Sequence, residues 1–362
     1  MPVTAAPTPT PLPAGPYAVM VTNGARQGST YGVLLLDVLG HVIARVTAKL
    51  PLLKSNQSVQ VPLVSASNDL VYYLDGDTEI HSLSPTGVTG LVKTITQGSS
   101  SILTFAVSPD DMRIAVSLIN QNSNPSNDNG HGYVEDLGNG ANHASLFSNT
   151  AADALRWPAG WDGARIVDGV GGQCGPYGYG AAFTIGPCSY HVINSTTISR
   201  TATVCESPNP QPPNENVYVS LDGLPVAAGV ACEESHNYYS GVTTPPSAKL
   251  VAVDWSGHET IFLTGDSNGQ LAYGNCFLAP AGAQMACTAN TSQALTLIGR
   301  GTAPHNLGRR YKVLGWIDNA HIAVDIDGTT LGVLSTDTGA VVNLALTGAD
   351  KAAMIGTMPG AL

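Results

Sequence analysis

Val107-Ser108-Pro109-Asp110-Asp111-Met112-Arg113-Ile114-Ala115-Val116 reads as the end of one apolar strand, a tight turn and the start of a second strand. Ile102 to Val107 and Arg113 to Leu118 are short runs rich in β-branched and aliphatic residues. Between them Pro109 presets φ for the second position of a turn, and Asp110 is placed to bond the backbone just ahead. Runs that are apolar at every position belong to strands covered on both faces. One such hairpin is ordinary. Its recurrence decides the fold.

Turns of the same kind, each followed by a short apolar run, stand at Ser65–Asp69, Ser108–Asp111, Trp157–Gly163, Ser220–Gly223, Ala279–Gly282 and Trp316–Asn319. They recur at intervals of roughly 40 to 60 residues, near the period of a four-stranded propeller blade with insertions. A third strand ending in a polar turn follows several of them, as in Ile80–Gly87, Val251–Gly257 and Gly332–Gly339. Val341–Leu346 then reads as a fourth. These make six units, and the chain ends supply a seventh. Tyr17–Val21 reads as a second strand, Tyr31–Asp37 and Val42–Val46 as a third and fourth, and Ala353–Met358 as the missing first. The expectation is an all-β propeller of about seven four-stranded blades, closed by the C-terminal strand joining the N-terminal blade. Residues 1–15 form a Pro/Thr-rich tail, and 16–362 a single propeller domain.

Ser-Pro-Asp before a short apolar strand, with a later strand ending in Asp/Ser-x-x-Gly, resembles the repeats of bacterial TolB-like and WD-type β-propellers. The likeness is good over 102–118, fair over 59–96 and 311–346, and weak from 153 to 300. It implies a fold and no function, because such propellers serve as scaffolds, binding modules and enzymes alike. The sequence has no counterpart of the catalytic domain that propellers carry in prolyl oligopeptidases, and no G-x-S-x-G nucleophile elbow.

Composition agrees with many short strands. Charged residues make up 11 % and hydrophobic ones 43 %, with 40 Gly and 24 Pro, and no stretch sustains a capped 3.6-residue apolar period. A net charge of −11 argues against nucleic acid, whose phosphates call for clustered Lys and Arg. The six cysteines have no C-x-x-C spacing, so disulfides in an extracellular or cell-surface compartment are expected, against the alternative of six buried thiols. No transmembrane segment or signal peptide is legible. The opening Met1-Pro2-Val3-Thr4-Ala5-Ala6-Pro7-Thr8-Pro9-Thr10-Pro11 reads as an extended spacer, and the expectation is a precursor whose signal or lipid anchor is trimmed ahead of it.

In a propeller blade the first–second and third–fourth turns lie on one face, and the second–third and interblade connections on the other. The long insertions, placed at 120–131, 171–187, 205–216, 232–247 and 299–310, all map to the second face, where function is expected. The disulfides expected from this map are Cys174–Cys188, Cys205–Cys232 and Cys276–Cys287. His131, His191, His236 and His305 lie in or beside the insertions, with Glu233 and Glu234 near His236. They are weak metal-ligand candidates unless they converge, and no other cofactor is expected. Asp75-Gly76-Asp77-Thr78-Glu79 and Asp325-Ile326-Asp327-Gly328-Thr329 match calcium loops only loosely and read as hairpin turns. Tyr177, Tyr179, Tyr238 and Tyr239 offer aromatic faces to a sugar or a protein partner, or else pack their own loops. Arg309, with Arg310 after His305, is placed to grip a carboxylate. Two functions remain. The leading one is a non-catalytic binding or structural module for a protein or glycan, self-assembling through its tail. The alternative is a metal-assisted lyase or hydrolase acting on an extracellular polymer at the axis, and convergence of the four histidines discriminates the two.

Overall fold

A computed structural model describes residues 15–22, 29–52, 61–98, 101–120, 129–150, 155–171, 187–208, 212–213, 215–238, 245–344, 346, 352–360 and 362. The described residues form seven four-stranded antiparallel sheets and no helix. The chain is a seven-bladed β-propeller.

β1 (Tyr17–Thr22), β2 (Thr30–Leu36) and β3 (Val42–Lys49) are the outer strands of blade 1. Blade 2 is β4 (Val64–Ala66), β5 (Val71–Asp75), β6 (Glu79–Leu83) and β7 (Thr89–Thr94). Blade 3 is β8 (Ser101–Val107), β9 (Arg113–Asn120), β10 (Asn129–Asp136) and β11 (Ala144–Thr150). Blade 4 is β12 (Arg156–Asp162), β13 (Arg165–Val170), β14 (Ser189–Asn194) and β15 (Arg200–Val204). Blade 5 is β16 (Glu215–Val226), β17 (Gly229–Tyr238), β18 (Ser247–Val253) and β19 (Glu259–Thr264). Blade 6 is β20 (Tyr273–Leu278), β21 (Gln284–Ala289), β22 (Leu295–Gly299) and β23 (His305–Asn306). Blade 7 is β24 (Lys312–Trp316), β25 (His321–Asp325), β26 (Leu331–Ser335) and β27 (Val341–Leu344). The last strand, β28 (Ala353–Met358), pairs with β1 from Tyr17↔Met358 to Val21↔Ala353 and so closes the ring as the inner strand of blade 1.

The core lies in the seams between blades. In β8 all seven residues are buried, as expected of a strand that is apolar on both faces apart from Ser101 and Thr104, whose hydroxyls donate to Asn120 Oδ1 and Pro62 O. Polar clamps cross the same seams and fix the blades' mutual register. Tyr31 Oη donates to Leu74 O (2.6 Å), and Tyr72 Oη to Asp111 Oδ1 (2.8 Å) in the Ser-Pro-Asp-Asp turn. Trp161 Nε1 reaches Ala106 O (3.1 Å), and Trp316 Nε1 reaches Phe277 O (2.8 Å). A buried indole donates its one N–H this way and loses no hydrogen bond on burial.

Three expected features move. Trp157–Gly163 is not the turn of blade 4, because Arg156–Asp162 is its inner strand, with a bulge between Pro158 and Gly160 that absorbs the proline. Ser220–Gly223 likewise lies inside β16, where a bulge between Asp222 and Val226 takes up Gly223 and Pro225. The 299–310 segment is not one interblade insertion. It holds a turn, the two-residue strand β23 and only then the interblade link.

At the axis the inner strands of blades 5, 7 and 1 meet in apolar contact. A Cβ on Gly315 would lie 2.7 Å from Met354 Sδ and 3.2 Å from Leu224 Cδ1, so only glycine lets these strands approach. Leu362 and Thr357 line the same tight crevice.

Candidate functional site

Blade 5 carries the densest group of functional side chains. Its two inner strands span 12 and 10 residues, and Glu215↔Tyr238 and Asn216↔Asn237 pair beyond the point where β18 begins opposite His236. The expected 232–247 insertion is therefore half strand. Glu215 and Tyr238 stand on a short ribbon that rises from the face carrying the second–third connections, and His236, Glu234 and Glu233 follow at its base, paired to β18.

Alternation along β17 puts Cys232, Glu234 and His236 on one side and Ala231, Glu233 and Ser235 on the other. Cys232 is disulfide-bonded to Cys205, at the end of β15, so the His236 side faces blade 4. There a row of charges crosses all four strands. Both ring nitrogens of His236 donate to carboxylates, Nδ1 to Glu215 and Nε2 to Glu234. Lys249 Nζ bridges Glu234 Oε2 (3.1 Å) and Glu259 Oε2 (2.8 Å). Burial disfavours the imidazolium, but the two carboxylates outweigh it and raise the His236 pKa. Lys249 is raised in the same way against its own desolvation. All five side chains are partly open to water, so the row fixes geometry more than it adds stability.

On the other side, toward blade 6, Asp222 and Glu233 form a hydrogen-bonded carboxyl pair, and Asp222 Oδ2 accepts the Cys276 N–H (3.2 Å). Burial and the adjoining Asp222 push Glu233 up to about 8, and burial raises Asp222 as well, so the pair holds a proton at neutral pH.

The four histidines stand on four different blades: His131 in β10, His191 in β14, His236 in β17 and His305 in the outermost strand β23. They form no common ligand set. His131 and His305 are exposed, and Arg309 is exposed after β23. His191 is pushed down to about 4 by burial and by Arg156 and Arg200. Among the described residues, the one group of three His, Cys, Asp or Glu ligand atoms within 4.8 Å of one another is Asp75, Glu79 and His81. There Asp75 Oδ1 already accepts the Lys49 N–H (2.7 Å). Asp327 Oδ1 accepts the Thr329 and Thr330 N–H groups, as a turn requires. Tyr177, Tyr179, Tyr239 and Cys174 lie outside the described residues. Cys188 is disulfide-bonded.

Sequence reading missed Glu215 and Asp222, which sit in stretches read as loop or turn, and Lys249 and Glu259, which it assigned to no site. It also missed Arg156, Asp168 and Arg200 of blade 4. Asp168 carries a legible signal, an acid amid the β-branched run Ile166–Val170, where a charge is buried only if paired.

Cys276 and Cys287 face each other across the β20–β21 hairpin with Cα atoms 4.1 Å apart and are bonded. Non-reducing peptide mapping will return this pair and Cys205–Cys232. Replacing Cys205 and Cys232 by serine will lower stability by about 2–4 kcal/mol, read from the denaturant midpoint, because it frees a 27-residue separation across the seam between blades 4 and 5. An unchanged midpoint would contradict a stabilising role.

Neither a protein family nor a curated protein matches the sequence. Solved structures do. An oligogalacturonate lyase in complex with manganese is 12% identical, with a TM-score of 0.48, over 88% of this chain and 86% of that one. The acylaminoacyl peptidase of Pyrococcus horikoshii is 9% identical, TM-score 0.48, over 91% of this chain and 52% of that one. BamB of Moraxella catarrhalis is 12% identical, TM-score 0.37, over 90% and 81%. At these identities the likeness is one of fold. No helix among the described residues is long and apolar enough to cross a membrane.

Proposed function

We propose that the protein is an extracytoplasmic, non-catalytic binding module that engages a protein or glycan partner through the raised ribbon of blade 5. The charged row Glu215–His236–Glu234–Lys249–Glu259 carries this reading, because it is held on rigid strands, pinned by Cys205–Cys232, and open to solvent. Two disulfides accord with an oxidising compartment. With three carboxylates against one lysine and a histidine, the row suits a partner presenting basic or hydrogen-bond-donating groups.

The test is the affinity of wild type and of the double variant Glu215→Lys/Glu234→Lys for ligands found on arrays of extracellular proteins and glycans. The expected result is a loss of at least about tenfold, because reversing two of the three carboxylates sets like charge against a basic partner. Equal affinities would reject the blade 5 site. The tail, residues 1–15, is proposed as the means of self-association. Sedimentation of the full chain against one starting at Gly15 tests it, and two monomers would refute it.

A catalytic reading rests on a different observation, the Asp222–Glu233 pair, since a carboxylic acid that stays protonated at neutral pH is the chemistry of a general acid. Turnover of an extracellular polymer that disappears in Glu233→Gln would establish it in place of the binding role.

A further inference from the structure

The side of blade 5 away from His236 carries a different set of groups. Alternation along β16 places Tyr218, Ser220 and Asp222 in one line, with Ser235 and Glu233 of β17 beside it. The Cys276 N–H donates to Asp222 Oδ2 (3.2 Å), so this line faces β20 of blade 6. Tyr218 is 55 % exposed and Ser220 is exposed, although both belong to an inner strand. Counting back along both chains from the Asp222–Cys276 contact reaches Tyr218 and, just ahead of β20, the exposed Ala272. The mouth of the seam between blades 5 and 6 is therefore open to water beside the tyrosine ring.

Oxygen atoms of both blades border this mouth. Asn290, exposed in the turn after β21, donates through Nδ2 to Leu271 O (2.9 Å). A Cβ on Gly274 would stand 3.4 Å from Asn290 Oδ1 and 3.2 Å from Glu233 Oε1, so the two oxygens converge on one bare stretch of backbone. Glu233 is in turn hydrogen-bonded to Asp222. Because that pair retains a proton, it offers a donor as well as acceptors, and Asn290 adds a neutral acceptor. A basic side chain would first have to expel the proton, and a phosphate or sulfate would meet the pair's negative charge. A hydroxyl bonds to each of these atoms as it stands. The Tyr218 ring supplies the complementary part. The C–H face of a sugar ring is apolar and lies flat on an aromatic ring, while its hydroxyl rim takes hydrogen bonds at the edge.

We propose that the mouth of the blade 5–6 seam is a subsite for a neutral sugar unit of a glycan, stacked on Tyr218 with hydroxyls on Glu233 and Asn290. It lies across blade 5 from the charged row, so it stands or falls apart from the row's partner. It shares Glu233 with the catalytic reading but requires no turnover. Calorimetric titration of the full chain with cellohexaose, xylohexaose, mannohexaose and maltohexaose is the test, with tetralysine as the rival ligand. At least one hexasaccharide will bind. Tyr218→Ala, at an exposed position, will keep the wild-type melting temperature and bind that sugar about tenfold more weakly, the size of one lost aromatic contact. Tyr218→Phe keeps the ring and will bind within about twofold of wild type. No binding of any hexasaccharide at millimolar concentration, binding of tetralysine alone, equal binding by wild type and Tyr218→Ala, or a Tyr218→Phe variant as weak as Tyr218→Ala overturns the subsite.

Discussion

A chain ending at Ala352 will show no cooperative thermal unfolding transition. Its missing strand β28 is the inner strand of blade 1 and pairs with β1 along its length. Ala353 and Met358 belong to the apolar cluster of blades 1 to 3, whereas Met354 belongs to the cluster joining blades 1 and 7. Deleting them exposes the β1 edge and opens two seams at once. Each of the two buried methionines contributes about 1.5–3 kcal/mol, and the whole margin of a domain is about 5–15 kcal/mol. The lost strand hydrogen bonds add to this deficit. Calorimetry of the purified fragment is the check. A transition within a few degrees of the full chain would mean that the ring is closed elsewhere.

The second large effect is a loss of stability as pH rises from about 4.5 to about 8. Glu233 is held at about 8 in the folded chain, against an ordinary value of 4.5, because burial and Asp222 both oppose its ionisation. The folded state therefore retains a proton that the unfolded state has released across that interval. The stability that this proton represents is fully present below about pH 4.5 and falls as pH rises, until both states are ionised above about pH 8. Each pH unit in the window costs on the order of 1 kcal/mol at most, less in proportion to the solvent that reaches Glu233. Glu233→Gln keeps a hydrogen-bonding group against Asp222 and removes the proton. It will be more stable than wild type at pH 8 and will lose less stability between pH 5 and 8. Parallel stability–pH curves for the two proteins would show that the pair does not share a proton.

The ring was legible because its strands announce themselves. Ser108-Pro109-Asp110-Asp111 between two apolar runs leaves few other readings, and Ala353–Met358 pairs where the unmatched strand of blade 1 requires it. The errors arose where a strand does not look apolar. β12 contains Pro158 and Gly160, and β16 contains Asp222-Gly223 and Pro225, which are turn residues by local preference. Bulges accommodate them inside a strand, and nothing local distinguishes a bulge from a turn. The polar ends of β16 and β17 imitate a loop in composition. Glu215–Asn216 and Asn237–Tyr238 rise past β18, and the half-buried Glu233, Glu234 and His236 beside them are held in ion pairs and a carboxyl pair that local sequence does not reveal. Histidines spaced along the chain fall on successive blades around the ring, and proximity to loops says nothing about angular position. The four candidates were therefore dispersed, whereas Glu215 and His236, 21 residues apart, meet across one hairpin.

Hydrogen–deuterium exchange of the protein alone and with a bound partner tests the binding account most directly, because it compares the two faces of the ring in one measurement. The account predicts protection confined to the β16–β17 ribbon around Glu215 and Glu234–Tyr238, with the opposite-face turns at Leu39 and Met112, both exposed, unchanged. Protection at those turns with none on the ribbon would contradict it.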